Sequence, residues 1–478
     1  MSIDSLSRIE ISRLEGRASS IRLRQNQFHR LQDALTSSEG AIKGCLIESH
    51  GYGEDESGLE YALALSELRT HYLSLNLKRS VELSHSIEDL SATTGVGIVY
   101  LIPTKQNPFY SVISVLTSAL AAGNCVVVEL PPQSSPIVEL LQSILTPVLD
   151  RDLFAFSNSR PSAEFLSTCH LVSQTDDRAK VPYNSANAAL SRPSGNAVAI
   201  VERSADINAT AKAITTARLA FRGHSAYAPD LILVNEFVAN EFLRCLKQAL
   251  AAPKGLLPRP ETQVRDSRSD NINQILRELE KSQDGSVLFA GDHGSIVEIA
   301  DRTKASTGYK ITAPVFVIYR TTSLDDAVDI SNNISGPTEA SYLFADPSEA
   351  IYLSKYIESR ISFVNQIPAE LLVGPLAPGH PSVPPSLSPR YPADLFRSPR
   401  PRLSRTTALT KALQRATLLG TSDPIKKWYR STTGLSLPAI GQKEENSGDF
   451  FGLGFAVFGV GFISLAAGGA LMVWRSRK

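Results

Sequence analysis

The chain has 478 residues, 48 Lys plus Arg and 48 Asp plus Glu, so its formal net charge is zero. Apolar residues make up 42% and charged residues 20%, which excludes a wholly disordered chain. The charge balance excludes a protein built mainly to bind nucleic acid, which would carry a basic excess. The length predicts two or three domains.

Residues 1–90 read as helical, with apolar positions at three- and four-residue intervals (Leu59, Tyr61, Ala62, Leu65, Leu68). The first residues, MSIDSLSRIEISRLEGR, are polar and hold no apolar signal core. The run 97–102 predicts a buried strand, 111–122 a helix closed by Gly123-Asn124, and 125–130 a second buried strand. A helix over 137–149 and a strand over 153–156 follow. Such alternation implies a parallel sheet covered on both faces. A second α/β unit begins near Ala197 and holds strands at 231–234, 315–319 and 362–364.

Residues 374–404 are rich in Pro, Ser and Arg and read as irregular. Ser388-Pro389 and Ser398-Pro399 have the form of proline-directed phosphorylation sites. Between Arg397 and Arg430 stand nine Lys/Arg and one Asp, with a helix expected over 408–419. This basic stretch reads either as a collar attracted to anionic headgroups or as a solvated linker and arm. Residues 451–474 carry no charge. As a helix they would cross the roughly 30 Å of a hydrocarbon core, and the glycines in the run are tolerated in membrane helices. The other reading is a buried core helix. The membrane reading predicts a tail anchor with the body on the cytosolic side. The four cysteines, Cys45, Cys125, Cys169 and Cys245, are scattered without metal spacing and suit a reducing compartment.

Several segments in this order resemble the aldehyde dehydrogenase superfamily, above all the class that includes tail-anchored fatty aldehyde dehydrogenases. They are GVGIVYLIPTKQNPF at 95–109, SALAAGNCVVVELPP at 118–132 and SGNAVAIVERSADINATA at 194–211. Further on come AYAPDLILVNE at 226–236, APVFVIYRTTSLDDAVDISN at 313–332 and EASYLFADPSEAIYLSKYIESRISFVN at 339–365. The resemblance implies an α/β fold with a Rossmann-like cofactor domain and a second, catalytic-type α/β domain. With the patterning it gives four parts: 1–196, N-terminal helices and a degenerate cofactor domain; 197–375, the catalytic-type domain; 376–450, an arm, basic helix and linker; 451–474, a transmembrane helix.

The same resemblance places the chemistry, and much of it is missing. The nucleophilic Cys position falls on Ala226, beside Ser225, and aldehyde oxidation needs a thiolate to attack the carbonyl. The general-base Glu position falls on Arg192, which cannot accept a proton. The oxyanion-stabilising Asn maps to Gln106, with Asn107 one step away. The Lys that would hold the adenosine ribose is Glu129, and the Glu for the nicotinamide ribose falls at Lys310. The phosphate loop, near Ser173 in the stretch 170–177, lacks the glycine that lets a backbone approach a pyrophosphate. No glycine occurs between Gly123 and Gly195.

The expected protein is therefore a membrane-anchored pseudoenzyme acting by binding or scaffolding, with no cofactor and no metal. Its expected partners are the membrane and a second subunit, as a homodimer or a heterodimer with an active relative, and no nucleic acid. The alternative is an NAD- or NADP-dependent fatty aldehyde dehydrogenase. A third reading is a ligand sensor whose cleft binds an anion through Arg192 and Lys310, unless these cations are solvated or paired with Glu129 or Asp176. His224-Ser225 raises a residual hydrolase, without a visible orienting acid. Endoplasmic reticulum, mitochondrial outer membrane and peroxisome all suit the anchor.

Overall fold

A computed structural model describes residues 3–78, 81–82, 92–130, 135–175, 188–191, 195–251, 272–281, 285–291, 293–301, 310–334, 338–378, 390–400 and 406–434. Residues 1–402 and 403–478 form two compact units.

The first unit opens with helices α1 (Ile3–Glu15), α2 (Ile21–Ser37), α3 (Glu39–His50) and α4 (Glu54–Leu73). The Ser20 hydroxyl caps α2 by accepting from the Leu23 N–H. Glu56 closes the start of α4, its Oε2 accepting from the Gly53 N–H at 2.8 Å. The buried face of α4 holds Glu56, Ser57, Glu60, Tyr61, Ala64, Glu67, Leu68 and His71. This corrects the stripe expected from apolar spacing, since Ala62 is exposed and Leu59 and Leu65 are half-buried. The face is polar because its carboxylates meet donors from the neighbouring helix.

That neighbour is α5 (Pro108–Ala122), whose fifteen side chains are all buried. It connects β2 (Ile98–Ile102) to β3 (Cys125–Glu129). Its last residues give way to Gly123 at φ 91, in the left-handed region that glycine enters without penalty. With β4 (Phe154–Ser157), β5 (Cys169–Ser173) and β6 (Ala188–Leu190) these strands make a wholly parallel five-stranded sheet, ordered β4-β3-β2-β5-β6. Helix α6 (Pro136–Val148) runs between β3 and β4, and the short α7 (Ala163–Ser167) precedes β5. Residues 170–173, expected in a phosphate loop, are instead part of β5. Leu171 and Val172 are buried and register against Tyr100 and Leu101.

The second sheet has seven strands: β7 (Asn196–Val201), β8 (Leu231–Asn235), β9 (Gly285–Gly291), β10 (Gly294–Ile299), β11 (Val315–Thr321), β12 (Thr338–Phe344) and β13 (Ser362–Val364). Their order is β13-β12-β7-β8-β11-β10-β9, and only β9 runs antiparallel to its neighbour. The β9–β10 hairpin and β12 lie outside the strands the patterning predicts. Helices α8 (Ile207–Leu219), α9 (Glu236–Ala251), α10 (Leu324–Asn332) and α11 (Pro347–Tyr356) follow their strands. Asp206 caps α8 by accepting from the Ala209 N–H.

After β13 the chain adds one strand to a separate two-stranded sheet. Its β14 (Arg397–Pro399) pairs antiparallel with β1 (Thr93–Gly95), and Tyr391 and Phe396 are fully buried. The Tyr391 hydroxyl accepts from Gln174 Nε2 at 3.1 Å and shares a 2.6 Å hydrogen bond with Ser191 Oγ. The second unit holds α12 (Ala408–Leu419), the helix expected from sequence, and α13 (Asp423–Thr433), which pack on each other. Residues 451–474 lie outside the described residues. Among the described residues no helix is long and apolar enough to cross a membrane.

Tyr391→Phe removes one hydroxyl that serves two buried partners. It should lower unfolding stability by about 1–2 kcal/mol, read as a reduced denaturant midpoint with an unchanged m-value.

Candidate functional site

The turn after α8 leads into the segment that the sequence resemblance marks as catalytic. Three consecutive residues there, Phe221, Arg222 and Gly223, have φ of 50°, 58° and 75°. For a bulky residue such as Phe221 this backbone costs roughly 1–3 kcal/mol and persists only where its surroundings impose it. The Phe221 N–H donates to Glu56 Oε1 at 2.8 Å, and Arg222 Nε donates to the Gly51 carbonyl at 2.6 Å. The Gly223 carbonyl accepts from Arg218 Nη1 at 3.3 Å. A Cβ at Gly223 would stand 2.6 Å from the Ala313 carbonyl carbon, so the position needs glycine for space as well as for φ. Beyond the turn His224 is exposed, Ser225 buried and Ala226 half-buried. The Ser225 hydroxyl oxygen accepts from the Tyr227 N–H at 3.2 Å and so is engaged within its own turn.

Four residues on, Asp230 carries a buried ionic cluster. Its Oδ1 accepts from Arg218 Nη2 at 3.2 Å and from the Ile311 N–H at 3.0 Å. Its Oδ2 accepts from Lys310 Nζ at 2.5 Å and from the Ala197 N–H at 2.8 Å. The side chains of Arg218 and Asp230 are each 1% exposed and that of Lys310 7%. Burial pulls the Lys310 and Arg218 pKa values down, and the carboxylate opposes it. Lys310 therefore has a partner, though neither of the two expected from sequence. Its ammonium also donates to the Gly195 carbonyl at 3.3 Å. It stands in the interior as an ion-pair cation and does not line an open anion site. Arg192 and Asp176 lie outside the described residues.

The turn before α5 carries the positions read as an oxyanion remnant. The Gln106 carbonyl accepts from the Tyr52 hydroxyl at 3.0 Å. Asn107, the residue before the first turn of α5, is buried and makes no side-chain cap. Its amide donates instead to Glu60 Oε2 at 3.1 Å and to the Tyr52 oxygen at 3.4 Å. Glu60 takes over the cap from α4, its Oε1 accepting from the Tyr110 N–H at 3.1 Å. A carboxylate there is favoured by the helix dipole. Burial nevertheless pushes the Glu60 pKa up to about 7, against the two hydrogen bonds that lower it. Glu67, about two helical turns further along α4, accepts from the hydroxyls of Tyr110 and Ser114 and from the Arg390 N–H.

At the end of β3 the Glu129 carboxylate is clamped. Arg160 donates to it through Nε at 3.2 Å and Nη2 at 3.0 Å, and the Tyr100 hydroxyl at 2.7 Å. Three of its about four acceptor sites are thus filled from within the protein. Ser173 is buried, and its hydroxyl donates to the Thr175 carbonyl at 3.3 Å. Among the described residues no group of three His, Cys, Asp or Glu is placed to hold a metal.

Residues 184–375 match the Aldehyde dehydrogenase family. The chain is 24% identical over 273 residues to the dimeric NADP-preferring aldehyde dehydrogenase of Canis lupus familiaris, covering 52% of this chain and 58% of that protein. It is 21% identical over 370 residues to aldehyde dehydrogenase family 3 member A2 of Pongo abelii, covering 71% and 74%. The solved structure of substrate-bound Staphylococcus aureus AldH superposes with a TM-score of 0.66 at 17% identity, over 85% of this chain and 95% of that one. A glyceraldehyde-3-phosphate dehydrogenase from Methanocaldococcus jannaschii complexed with NADP superposes at 0.62 and 16%, over 77% and 86%. The fold is aldehyde-dehydrogenase-like.

The sequence resemblance implies a nicotinamide dinucleotide, and among the described residues the positions it assigns to one are engaged within the protein. Ribose recognition by Glu129 would need acceptors that Arg160 and Tyr100 occupy. Lys310 is committed to Asp230, and no glycine between 123 and 195 opens the backbone to a pyrophosphate. The aldehyde-dehydrogenase-like site holds functional-looking groups that sequence reasoning missed: Glu60, Tyr52, Glu56 and the Arg218–Asp230 pair. The signal for the glutamates is their spacing, since Glu56, Glu60 and Glu67 share one helical face with Tyr61 and Leu68.

Because the folded pKa of Glu60 lies above its unfolded value, the native state holds the extra proton between about pH 4.5 and about 7. That contribution to stability is full below the window and is lost as pH rises through it, by about 1.4 kcal/mol per pH unit. Glu60→Gln should flatten this slope in denaturation series run across the window. Asp230→Asn leaves two buried cations without their carboxylate and should cost about 3–5 kcal/mol, measured by chemical unfolding.

Proposed function

We propose that the protein is a membrane-anchored, aldehyde-dehydrogenase-like pseudoenzyme that acts by binding. The observation that carries this reading is Ala226: the position that the sequence resemblance assigns to the nucleophile has no nucleophilic atom, and the adjacent Ser225 hydroxyl is bonded inside its own turn. The four cysteines offer no substitute. Cys125 and Cys169 sit in strands of the first sheet, where burial pushes their thiols up to about 11 and about 12. Such thiols stay protonated at neutral pH and are poor nucleophiles. Cys45 and Cys245 lie on α3 and α9. Arg192, at the position the resemblance assigns to the base, carries a guanidinium with no acceptor. The amide of Asn107 is spent on Glu60 and Tyr52.

What remains is an α/β body without the groups for hydride chemistry, suited to scaffold work. It pairs with a second copy or with an active aldehyde dehydrogenase, a reading supported by its similarity to an enzyme described as dimeric. The uncharged run 451–474 holds it to the endoplasmic reticulum, the mitochondrial outer membrane or the peroxisome. The alternative is oxidation of fatty aldehydes with NAD or NADP, favoured by similarity to an NADP-preferring enzyme.

Purified protein mixed with a long-chain aldehyde and NAD or NADP should form no reduced nucleotide, and calorimetric titration should show no nucleotide binding. Ala226→Cys should not rescue turnover, because base and cofactor contacts are missing as well. Reduced nucleotide formed by the unmodified protein overturns the pseudoenzyme reading. Co-purification of an active dehydrogenase tests the pairing.

A further inference from the structure

The second compact unit carries a charge pattern that the dehydrogenase-like body does not use. On α13, Ile425, Trp428, Tyr429 and Thr432 fall within about 100° of arc at the 3.6-residue period. Lys426, Lys427 and Arg430 occupy the opposite arc with Asp423. No residue of this helix is buried, and Trp428 and Tyr429 are 51% and 61% exposed. On α12, Leu409 and Leu413 stand exposed beside Ala412 and Ala416, and Lys411 and Arg415 flank that stripe. Across both helices five Lys/Arg face one Asp.

Two amphipathic helices with aromatic and leucine side chains in solvent and a basic opposite face have the chemistry of an interfacial segment. A soluble surface would place polar groups where Trp428 and Tyr429 stand, and a protein core would not sit against three adjacent cations. Tryptophan and tyrosine prefer the headgroup level, where the ring meets chains and the polar atom meets water. Cations beside them meet anionic headgroups. The uncharged run 451–474 follows within the same chain.

We propose that the helical pair of residues 408–433 is a binding surface for anionic phospholipid headgroups. It lies along the bilayer plane with Trp428 and Tyr429 at headgroup depth and Lys426, Lys427 and Arg430 toward the phosphates. The inference stands on these two helices and goes beyond anchoring by 451–474, which by itself would be indifferent to lipid charge.

The chain has two tryptophans, Trp428 and Trp474. Full-length W474F therefore reports from Trp428 alone, and W428F reports from the apolar run alone. Each is reconstituted into phosphatidylcholine vesicles with or without phosphatidylserine, with brominated acyl chains as quencher. The expected result is a blue shift and several-fold stronger quenching of Trp428 in the anionic vesicles. High salt and the variant K426Q/K427Q/R430Q should abolish both. Equal Trp428 signals in neutral and anionic vesicles overturn the proposal. So does emission unquenched in both, which would place the helices on protein, their own body or a partner. Flotation of the chain and quenching of Trp474 in W428F report anchoring separately. A failed anchor and a failed headgroup surface thus give different results.

Discussion

Asp230 is the charge on which the second domain is assembled. One carboxylate fixes the backbone at Ala197, where β7 begins, and at Ile311, ahead of β11. It neutralises Arg218 at the end of α8 and Lys310. Arg218 in turn donates to the carbonyls of Pro229, Gly223 and Ile311. The left-handed turn at Phe221–Gly223 is therefore held from below by an ion cluster and from the side by Glu56 and the Gly51 carbonyl. Burying three charges is expensive, and the arrangement is tolerable only because each has several polar partners. A turn in this conformation is fixed whether or not a catalytic side chain follows it.

The same economy governs the entry to the first sheet. The start of α5, the Asn107 amide and the Glu129 carboxylate are three polar features that a ligand could engage. Each is already satisfied by a neighbour: Glu60 caps the helix, Glu60 and Tyr52 take the amide, and Arg160 and Tyr100 hold the carboxylate. A ligand would have to displace internal hydrogen bonds whose loss leaves buried groups unpaired, at a cost of about 1–3 kcal/mol each. Groups bonded in this way are oriented by the protein itself, whereas transition-state stabilisation needs donors held in readiness for the reacting atoms.

Much of the fold was legible because it is written in continuous apolar runs. The strands at 98–102, 125–129, 196–201 and 231–235 are short blocks of Val, Ile, Leu and Ala flanked by turn residues, and helix 408–419 keeps its expected bounds. The reading failed where polarity is buried. Glu60 and Glu67 lie on the buried face of α4 with Tyr61 and Leu68, a spacing outweighed by the polarity of glutamate, which ordinarily marks a solvated position. Strand β5 was taken for a loop since His170 and Ser173 dilute its two apolar residues. For Lys310 the sequence offered Glu129 or Asp176 as partners; the actual one, Asp230, lies eighty residues away, and the adjacency of β8 and β11 brings them together.

These two kinds of burial separate what holds the fold from what a reaction would need. The networks around Asp230, Glu60 and Glu67 join helices, turns and both sheets, and none of them includes the side chain at 226. Replacing a nucleophile there with alanine leaves every one of these bonds in place, so the change carries little stability penalty. Replacing Asp230 would strand two cations in the interior. Selection for a folded body therefore guards the ion cluster and the helix cap, whereas only selection for turnover could guard a thiol. The ion cluster and the helix cap therefore belong to the stability of the fold, and the side chain at 226 stands outside them.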